Sequence, residues 1–267
     1  MSGALSHVDV RGRAIAYRRA GSGPPLVLLH GFLCDSRVWQ RQLADLADEF
    51  DVVAWDAPGA GLSPDPPEGF ALADWATCLA GFLEALGLGP AHIVGLSWGG
   101  LLAQEFFRLA PERVRTLVLS DTYAGWKGSF GDEVAQQRLA RCERESSLSA
   151  DEFVRVWVPV EFFTEAVAPD VVEEMAAVVH DFHPPGFRLM ARSLAEADTT
   201  DLLRTIDVPT LLLWGDGDRR SPLELAAAFD AAIPGAELRV IANAGHLSNM
   251  ERPEEFSAHV RRFARST

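Results

Sequence analysis

The chain has 267 residues, 48% of them hydrophobic, and its 38 acidic and 24 basic residues give a formal net charge of −14. This length fits one α/β core with an insertion, so it does not require two domains with separate cores. The negative charge repels nucleic acid and anionic lipid surfaces. We therefore expect no nucleic-acid partner and no membrane partner.

Strands and helices alternate along most of the chain. Alternating polarity over His7 to Val10 and Ala14 to Arg19 predicts an antiparallel pair at the edge of a sheet, joined at Gly12. Further strands are predicted at Pro25 to Leu29, Asp51 to Trp55, Ala91 to Val94, Val114 to Leu119, Thr210 to Trp214 and Leu238 to Ile241. Helical spacing predicts helices at Leu72 to Leu86 and Leu101 to Leu109, and Ser36 offers an N-cap for another. The alternation predicts an α/β fold with a mostly parallel, doubly wound sheet.

The pattern changes between Thr122 and Leu203, where no strand-like run appears. Helical patterns dominate there, over Glu133 to Glu145, Ala150 to Trp157 and Asp170 to Val179. We therefore divide the chain into a core of residues 1–121 and 204–267 and a helical insertion of residues 122–203.

The sequence contains no clear targeting segment and no cysteine pattern typical of disulfides or metal sites. No run approaches the roughly 18 uninterrupted apolar residues of a membrane span, and the polar start Met1-Ser2-Gly3 lacks the features of a signal peptide. Cys34, Cys78 and Cys142 form neither an even framework nor a metal-type pair, which is typical of a reducing compartment. We expect a cytoplasmic location.

The pentapeptide Gly95-Leu96-Ser97-Trp98-Gly99 lies between a predicted strand and a predicted helix. A serine at the apex of such a turn takes a strained, positive-φ conformation, and the neighbouring chain passes so close that glycine is needed two residues away on each side. The first N–H groups of the new helix then point at whatever the serine attacks. Ser97 is the candidate nucleophile.

Other polar residues also follow predicted strands. They include His30, Asp218 and His246, and the further acids Asp121 and Asp216. His30 lies two residues before Phe32. The carboxyl ends of parallel strands meet at one edge of a sheet, so these side chains are expected to gather there. Serine needs a base to take its proton, which histidine supplies, and an acid orients the imidazole.

Several segments together resemble the α/β-hydrolase superfamily over nearly the whole chain. They are LVLLHGF, VVAWDAPGAGLS, HIVGLSWGG, RVRTLVLSD, VPTLLLWGDGD and NAGHLSNMERPEEF. The order serine, acid, histidine is that of the superfamily. GHLSNMERPEEF and the tract ending SLAEADTTDLLRTIDVPTLLLWG look most like small-capped esterases and 3-oxoadipate enol-lactonases. The loop HGFLCDS is instead a form shared with many esterases and cofactor-free perhydrolases.

The resemblance implies a helical cap at residues 122–203 over the serine and a triad of Ser97, His246 and Asp218. Asp218 is the acid that fits the family's Gly-x-x-Asp spacing after Gly215. The resemblance also implies an oxyanion hole built from the backbone N–H groups of Phe32 and Trp98.

Four aromatic side chains are expected to line the substrate pocket: Phe32, Trp98, Trp157 and Phe163. Packing under the cap is the alternative role for Trp98. His180 and His183 have a spacing that could hold a metal, but no cysteine or carboxylate completes such a site. We therefore expect no metal and no cofactor.

The leading hypothesis is a hydrolase that cleaves a small-molecule carboxylic ester or lactone through an acyl-enzyme; it could be a homo-oligomer. The same triad could serve a cofactor-free perhydrolase or a carbon–carbon bond hydrolase, although the latter usually carry an aromatic residue where Leu247-Ser248-Asn249 follows the histidine here. A ligand receptor that keeps the fold is a third possibility, which the intact triad disfavours.

Overall fold

The computed structural model describes residues 3–267, without the side chains of residues 159–161; the start Met1-Ser2 lies outside the described residues. Eight strands form one sheet in the order β1-β2-β4-β3-β5-β6-β7-β8. They are β1 (Ala4–Val10), β2 (Arg13–Ala20), β3 (Pro25–Leu29), β4 (Asp51–Trp55), β5 (Ala91–Leu96), β6 (Val114–Ser120), β7 (Thr210–Gly215) and β8 (Glu237–Ile241). Strand β2 is antiparallel to β1 and β4, and every other pair is parallel.

The predicted strands are confirmed, with small shifts at their ends. Every residue of β4, β5 and β7 is buried, whereas the edge strands β1 and β8 are partly exposed. This difference explains why the inner strands are continuous apolar runs and β1 alternates. Strands β3, β5, β6, β7 and β8 all run in the same direction, so the residues that follow them lie at one edge of the sheet.

Twelve α-helices accompany the sheet in the described residues. They are α1 (Gln40–Leu46), α2 (Leu72–Ala85), α3 (Trp98–Leu109), α4 (Gly125–Phe130), α5 (Asp132–Glu145), α6 (Ala150–Glu161), α7 (Pro169–His180), α8 (Pro184–Glu196), α9 (Thr200–Leu203), α10 (Leu223–Ala232), α11 (Ser248–Glu251) and α12 (Pro253–Arg265). None of them, in the part of the chain described, has the length and apolar character that crossing a bilayer requires.

One local expectation was wrong, and the spacing of His180 and His183 has a simple structural explanation. Asp35, rather than Ser36, caps the turn before α1, because the Asp35 carboxylate accepts the N–H of Arg37 at 2.8 Å. His180 ends α7 and His183 precedes α8, so the two do not share the face of one helix. His183 Nδ1 lies 2.9 Å from Asp65, and the described residues contain no cluster of potential metal ligands.

Helices α4 to α9 occupy the segment between β6 and β7, which contains no strand in the described residues. Ion pairs join this segment to the core, as between Arg37 and Asp181 at 2.8 Å and between Arg41 and Glu174 at 2.7 Å. These carboxylates are exposed, so each pair contributes little stability. Buried aromatic packing makes the larger contribution, since the Phe32 ring of the core stacks on Phe187 of α8 at 4.6 Å.

Candidate active site

The turn between β5 and α3 holds Ser97 in a conformation that most residues avoid. Its φ is 54° and its ψ is −117°, and a positive φ is costly for a residue with a Cβ. Gly95 and Gly99 are needed for close approach. A Cβ on Gly95 would lie 2.4 Å from the carbonyl oxygen of Gly99, and one on Gly99 would lie 2.2 Å from that of Leu29. The glycine pattern around Ser97 is therefore a steric requirement of this turn.

The structure brings Ser97, His246 and Asp218 into one line of hydrogen bonds. Ser97 Oγ lies 2.8 Å from His246 Nε2, and His246 Nδ1 lies 2.8 Å from Asp218 Oδ2. The exposed fractions of these residues are only 3%, 2% and 6% respectively. Because both imidazole nitrogens are engaged, the ring is fixed with Nε2 facing the serine hydroxyl, the contact that a general base needs.

Ser221 is a further member of this network that the sequence analysis missed. Its hydroxyl donates to Asp218 Oδ2, the oxygen that also faces His246. Asp218 Oδ1 accepts the backbone N–H groups of Arg220 at 2.7 Å and of Ser221 at 3.1 Å. Donors on both oxygens hold the carboxylate in one orientation and favour its ionised form. The sequence feature that could have predicted this contact is the position of Ser221 three residues after Asp218 in a turn, where a serine hydroxyl often bonds to a nearby acid or backbone group.

Burial and hydrogen bonding set the charge state of the pair. Burial lowers the pKa of His246, and this outweighs the charge and hydrogen bond of Asp218, which raise it. For Asp218, burial acts to raise the pKa, but the charge of His246 and the hydrogen bonds from His246 and Ser221 lower it below its usual value. The resting pair is thus a neutral imidazole beside a carboxylate, so His246 can accept the proton of Ser97.

The loop after β3 passes directly against the serine. A Cβ on Gly31 would lie 3.2 Å from the Cβ of Ser97. The N–H groups of Phe32 and Trp98 have no hydrogen-bond acceptor within the described residues. Trp98 is the first residue of α3, where helix N–H groups lack an acceptor within the helix. Both predicted oxyanion donors therefore lack an acceptor within the described part of the chain.

His30 organises this loop. Its Nε2 accepts the N–H of Ala57 at 3.0 Å, and its Nδ1 donates to the carbonyl oxygen of Gly31 at 2.9 Å. Complete burial lowers the pKa of His30, which keeps the imidazole neutral with its proton on Nδ1. The side chain thereby ties the end of β3 to the turn after β4.

Asp121 makes a different set of contacts from Asp218. It accepts the N–H of Gly215 at 2.8 Å and the hydroxyl of Ser248 at 2.6 Å. Burial, and then the negative charge of Asp218, raise the pKa of Asp121. Asp121 therefore links the start of the loop that carries Asp218 to the helix that follows His246.

Two other acids hold the histidine loop. Glu251 accepts the N–H groups of Gly245 and of Thr164, both at 2.9 Å, and Thr164 belongs to the segment between α6 and α7. Asp216 accepts the N–H of Ala244 at 3.4 Å. Neither role could be read from the sequence, because both depend on residues that meet only in the folded chain.

Three of the predicted pocket residues, Phe32, Trp98 and Trp157, are buried against other aromatic rings. The rings of Phe32 and Trp157 meet edge to face with centroids 6.1 Å apart. Trp98 is fully buried against Trp75, and its Nε1 donates to Ser193 Oγ of α8 at 2.9 Å.

Phe163 lies beside the histidine loop. A Cβ on Gly245 would come within 3.0 Å of the Phe163 carbonyl carbon. Its ring packs on Phe162 with centroids 6.4 Å apart.

A family model described as the alpha/beta hydrolase fold matches residues 24–253. The chain belongs to the α/β-hydrolase family. This confirms the family and the fold expected from the motifs, and it makes the chain a hydrolase.

Relatives of this α/β-hydrolase include proteins with assigned reactions. It is 32% identical to a thermophilic esterase from Thermogutta terrifontis, whose structure was solved with malate bound; the match covers 98% of both chains with a TM-score of 0.90. It is 27% identical to 3-oxoadipate enol-lactonase 2 of Acinetobacter baylyi, over 88% of this chain and 86% of that protein. It is 32% identical to the dihydrolipoyllysine-residue acetyltransferase component of the acetoin cleaving system of Cupriavidus necator, over 96% of this chain and 67% of that protein.

Proposed function

We propose that this α/β-hydrolase cleaves a carboxylic ester or lactone through an acyl-enzyme on Ser97, with His246 as base and Asp218 as the acid that orients it. The observation that carries the proposal is the line of two 2.8 Å contacts from Ser97 Oγ through His246 to Asp218. The names of the similar esterase and enol-lactonase support this choice of substrate class.

In the first half of the reaction, Ser97 Oγ attacks the carbonyl carbon of the substrate while its proton passes to His246 Nε2. The imidazolium that forms is stabilised by the carboxylate of Asp218. The negative oxygen is bound by the N–H groups of Phe32 and Trp98, and each such donor typically contributes about 10²–10³ in rate. His246 then protonates the leaving alkoxide as the carbon–oxygen bond breaks, which leaves the acyl group on Ser97.

In the second half, water takes the place of the alcohol. His246 accepts a proton from the water as it attacks the acyl carbon, and returns that proton to Ser97 Oγ as the ester bond to the enzyme breaks. The products are a carboxylic acid and an alcohol, which remain joined in one molecule when the substrate is a lactone.

We further propose that residues 122–203 act as a cap that selects the substrate over a core of residues 1–121 and 204–267. Trp157 and Phe163 of this segment, and the side chains of Phe32 and Trp98, are proposed to shape the pocket. The edge-to-face contact of Phe32 with Trp157 supports this for the first two, since it joins the oxyanion loop to helix α6. The buried hydrogen bond of Trp98 to Ser193 gives Trp98 a second role in joining core and cap.

The test is covalent labelling combined with turnover. A fluorophosphonate probe should label the wild-type protein at Ser97 alone, and a panel of p-nitrophenyl esters and lactones should include a substrate. Ser97→Ala should lose labelling and about 10⁶ of kcat, by analogy with other serine triads. Ser63→Ala, at a buried serine near the turn after β4, is the matched control and should be labelled as the wild type is.

Three results would contradict the proposal: labelling at another residue, turnover that survives in Ser97→Ala, or a wild-type protein that neither reacts with the probe nor hydrolyses any member of the panel. The last result would favour a ligand receptor. Activity that appears only when hydrogen peroxide is added would favour the perhydrolase alternative. The cytoplasmic location and a homo-oligomeric state stay predictions; the former rests on the number and spacing of Cys34, Cys78 and Cys142 in the sequence.

A further inference from the structure

The residues on either side of His246 are both held by hydrogen bonds of their backbone. The N–H of Gly245 donates to Glu251 Oε1 at 2.9 Å, and the N–H of Leu247 donates to the carbonyl oxygen of Phe162 at 3.2 Å. Glu251 belongs to α11, whereas Phe162 belongs to residues 162–168 between α6 and α7, which we call the α6–α7 loop. The position of the imidazole residue therefore depends on one acid and on the helical segment between β6 and β7.

Glu251 also binds the α6–α7 loop. Its Oε1 accepts the N–H of Thr164 at 2.9 Å, and its Oε2 accepts the Thr164 hydroxyl at 2.6 Å. One buried carboxylate thus receives three donors from two separate segments. Hydrogen bonds to an ionised carboxylate are roughly twice as strong as those between neutral groups. Glu251 therefore forms a firm bridge between the α6–α7 loop and the loop that carries His246.

The bridge depends on close approach at two glycines. A Cβ on Gly245 would lie 2.9 Å from Glu251 Oε1 and also 2.9 Å from the carbonyl oxygen of Phe162. A Cβ on Gly217 would lie 2.8 Å from Cγ2 of Thr164. The α6–α7 loop therefore packs directly on the histidine loop and on the loop of the proposed acid.

Helix α11, which carries Glu251, is itself fixed to the core. The Ser248 hydroxyl donates to Asp121 Oδ2 at 2.6 Å, and the Asn249 side chain donates to the carbonyl oxygen of Val38 at 2.8 Å. The side chain of Gln42 donates in turn to the carbonyl oxygen of Asn249 at 3.0 Å. Because these contacts restrain α11, its acid holds the histidine loop from a rigid support.

We propose that Glu251 and Thr164 are positioning residues for His246. With the carbonyl group of Phe162, they keep the imidazole at the 2.8 Å distance from Ser97 Oγ that the proposed proton transfer uses. This inference rests on the proposed function, in which His246 is the base. A catalytic group displaced by about 1 Å can cost about 100-fold in rate, so support of this kind affects turnover. The competing explanation is that the bridge only stabilises the fold.

Variants of Glu251 measure the effect on turnover. Glu251→Ala removes the acceptor of all three donors and should lower kcat about 10–100-fold, while KM changes less than about threefold because the side chain does not bind substrate. Glu251→Gln keeps an oxygen for the two N–H groups, and its amide can donate to the Thr164 hydroxyl. This variant should stay within about threefold of the wild-type kcat. The rates are measured at a temperature at which every variant is folded, as shown by thermal unfolding.

Glu105→Ala is the matched control for the loss of a buried carboxylate. The exposed fraction of Glu105 is 5%, against 8% for Glu251, and its partner is Arg108 of the same helix. It should leave kcat within about twofold of wild type. A fall in kcat in Glu105→Ala as large as that in Glu251→Ala would favour the purely structural explanation and overturn the proposal.

A double variant separates positioning from stability. If Glu251 acts through His246, adding Glu251→Ala to His246→Ala should change the slow residual turnover less than about twofold. General loosening of the fold would lower the residual turnover as well, because the oxyanion donors act without the base. An equal loss with and without His246, or a fully active Glu251→Ala protein, would overturn the proposal.

Thr164 tests the same bridge should Glu251→Ala fail to fold. Thr164→Val keeps the shape of the side chain but loses the hydroxyl, and it should lower kcat about fivefold. Thr164→Ser keeps the hydroxyl and should stay within about twofold of wild type. Equal kcat in the two variants would overturn the proposal.

Failure of this inference differs from failure of the proposed function. If Ser97 is labelled and Glu251→Ala cleaves esters as fast as the wild type, the positioning role is wrong and the serine mechanism stands. If the wild-type protein is neither labelled nor active on any ester, the proposed function is wrong and the positioning role falls with it.

Discussion

The hydroxyl of Ser221 and the imidazole of His246 meet the same oxygen of Asp218. Asp218, the proposed acid, is thus held by a second side chain three residues further along its own turn, in addition to two backbone N–H groups. This arrangement fixes the direction in which the carboxylate faces the imidazole, and it predicts that Ser221 matters for turnover without touching the substrate.

Replacing Ser221 by alanine should lower kcat about tenfold, the loss expected for one hydrogen bond to a charged group. The reason is that Asp218 gains rotational freedom and holds His246 less well. Ser221→Thr keeps the hydroxyl and should recover most of the rate, while thermal unfolding shows whether either variant is simply less stable. A fully active Ser221→Ala protein would mean that the backbone donors alone fix the acid.

The choice of acid gives a sharper prediction. Asp218→Asn should lower kcat by up to about 10⁴, because the amide favours the wrong imidazole tautomer and no longer stabilises the imidazolium. Asp121→Asn should stay within about tenfold of wild type, since a carboxamide can still accept from Gly215 and its amide N–H can donate to the Ser248 hydroxyl. Both rates come from the same p-nitrophenyl ester assay. If Asp121→Asn were instead the variant whose kcat falls by about 10⁴, Asp121 would be the acid.

On the acid side of the pH–rate profile, kcat/KM should fall at a pH below the ordinary pKa of histidine. The proposed mechanism requires neutral His246, and burial lowers the pKa of this residue. A lowered pKa means that the neutral form persists to more acidic pH, so on the acid side kcat/KM should reach half of its maximum below about pH 6.5, the ordinary pKa of histidine. The measurement is kcat/KM from about pH 4.5 to about pH 9 on an ester that does not itself titrate. A half-maximum above the ordinary value would contradict the assigned direction.

The cap prediction concerns selectivity. Trp157 is buried and contacts Phe32 of the proposed oxyanion loop. Trp157→Leu should therefore change the ratio of kcat/KM between short and long acyl esters by about tenfold, within the range typical of a methylene group in an apolar pocket. Phe163→Leu tests the second proposed pocket residue in the same way. Val156→Ala, at an exposed neighbour on α6, is the control and should leave the ratio unchanged. Loss of folding without a change of ratio would assign Trp157 to the core.

The sequence could predict the strands and the turn at Ser97, because each depends on residues that are close together in the chain. The strands were found because burial on both faces demands continuous apolar runs, and the turn at Ser97 was found because close approach demands glycine at two fixed positions. The role of Glu251 was missed, because its partner Thr164 lies 87 positions away in the sequence. No periodicity connects such pairs, so only the folded chain reveals them.

The steric requirement at Gly99 can itself be tested. A Cβ there would lie 2.2 Å from the carbonyl oxygen of Leu29, and backbone in a buried sheet cannot move aside cheaply. Gly99→Ala should therefore reduce the free energy of unfolding by about 2 kcal/mol or more, as overpacking does, and it should abolish fluorophosphonate labelling because the turn that carries Ser97 is displaced. Gly89→Ala is the matched control, since a Cβ at Gly89 would meet no atom within 4 Å. Denaturant unfolding and labelling of the two variants side by side decide the matter: if Gly99→Ala were as stable and as reactive as Gly89→Ala, the glycine would not be what positions the nucleophile.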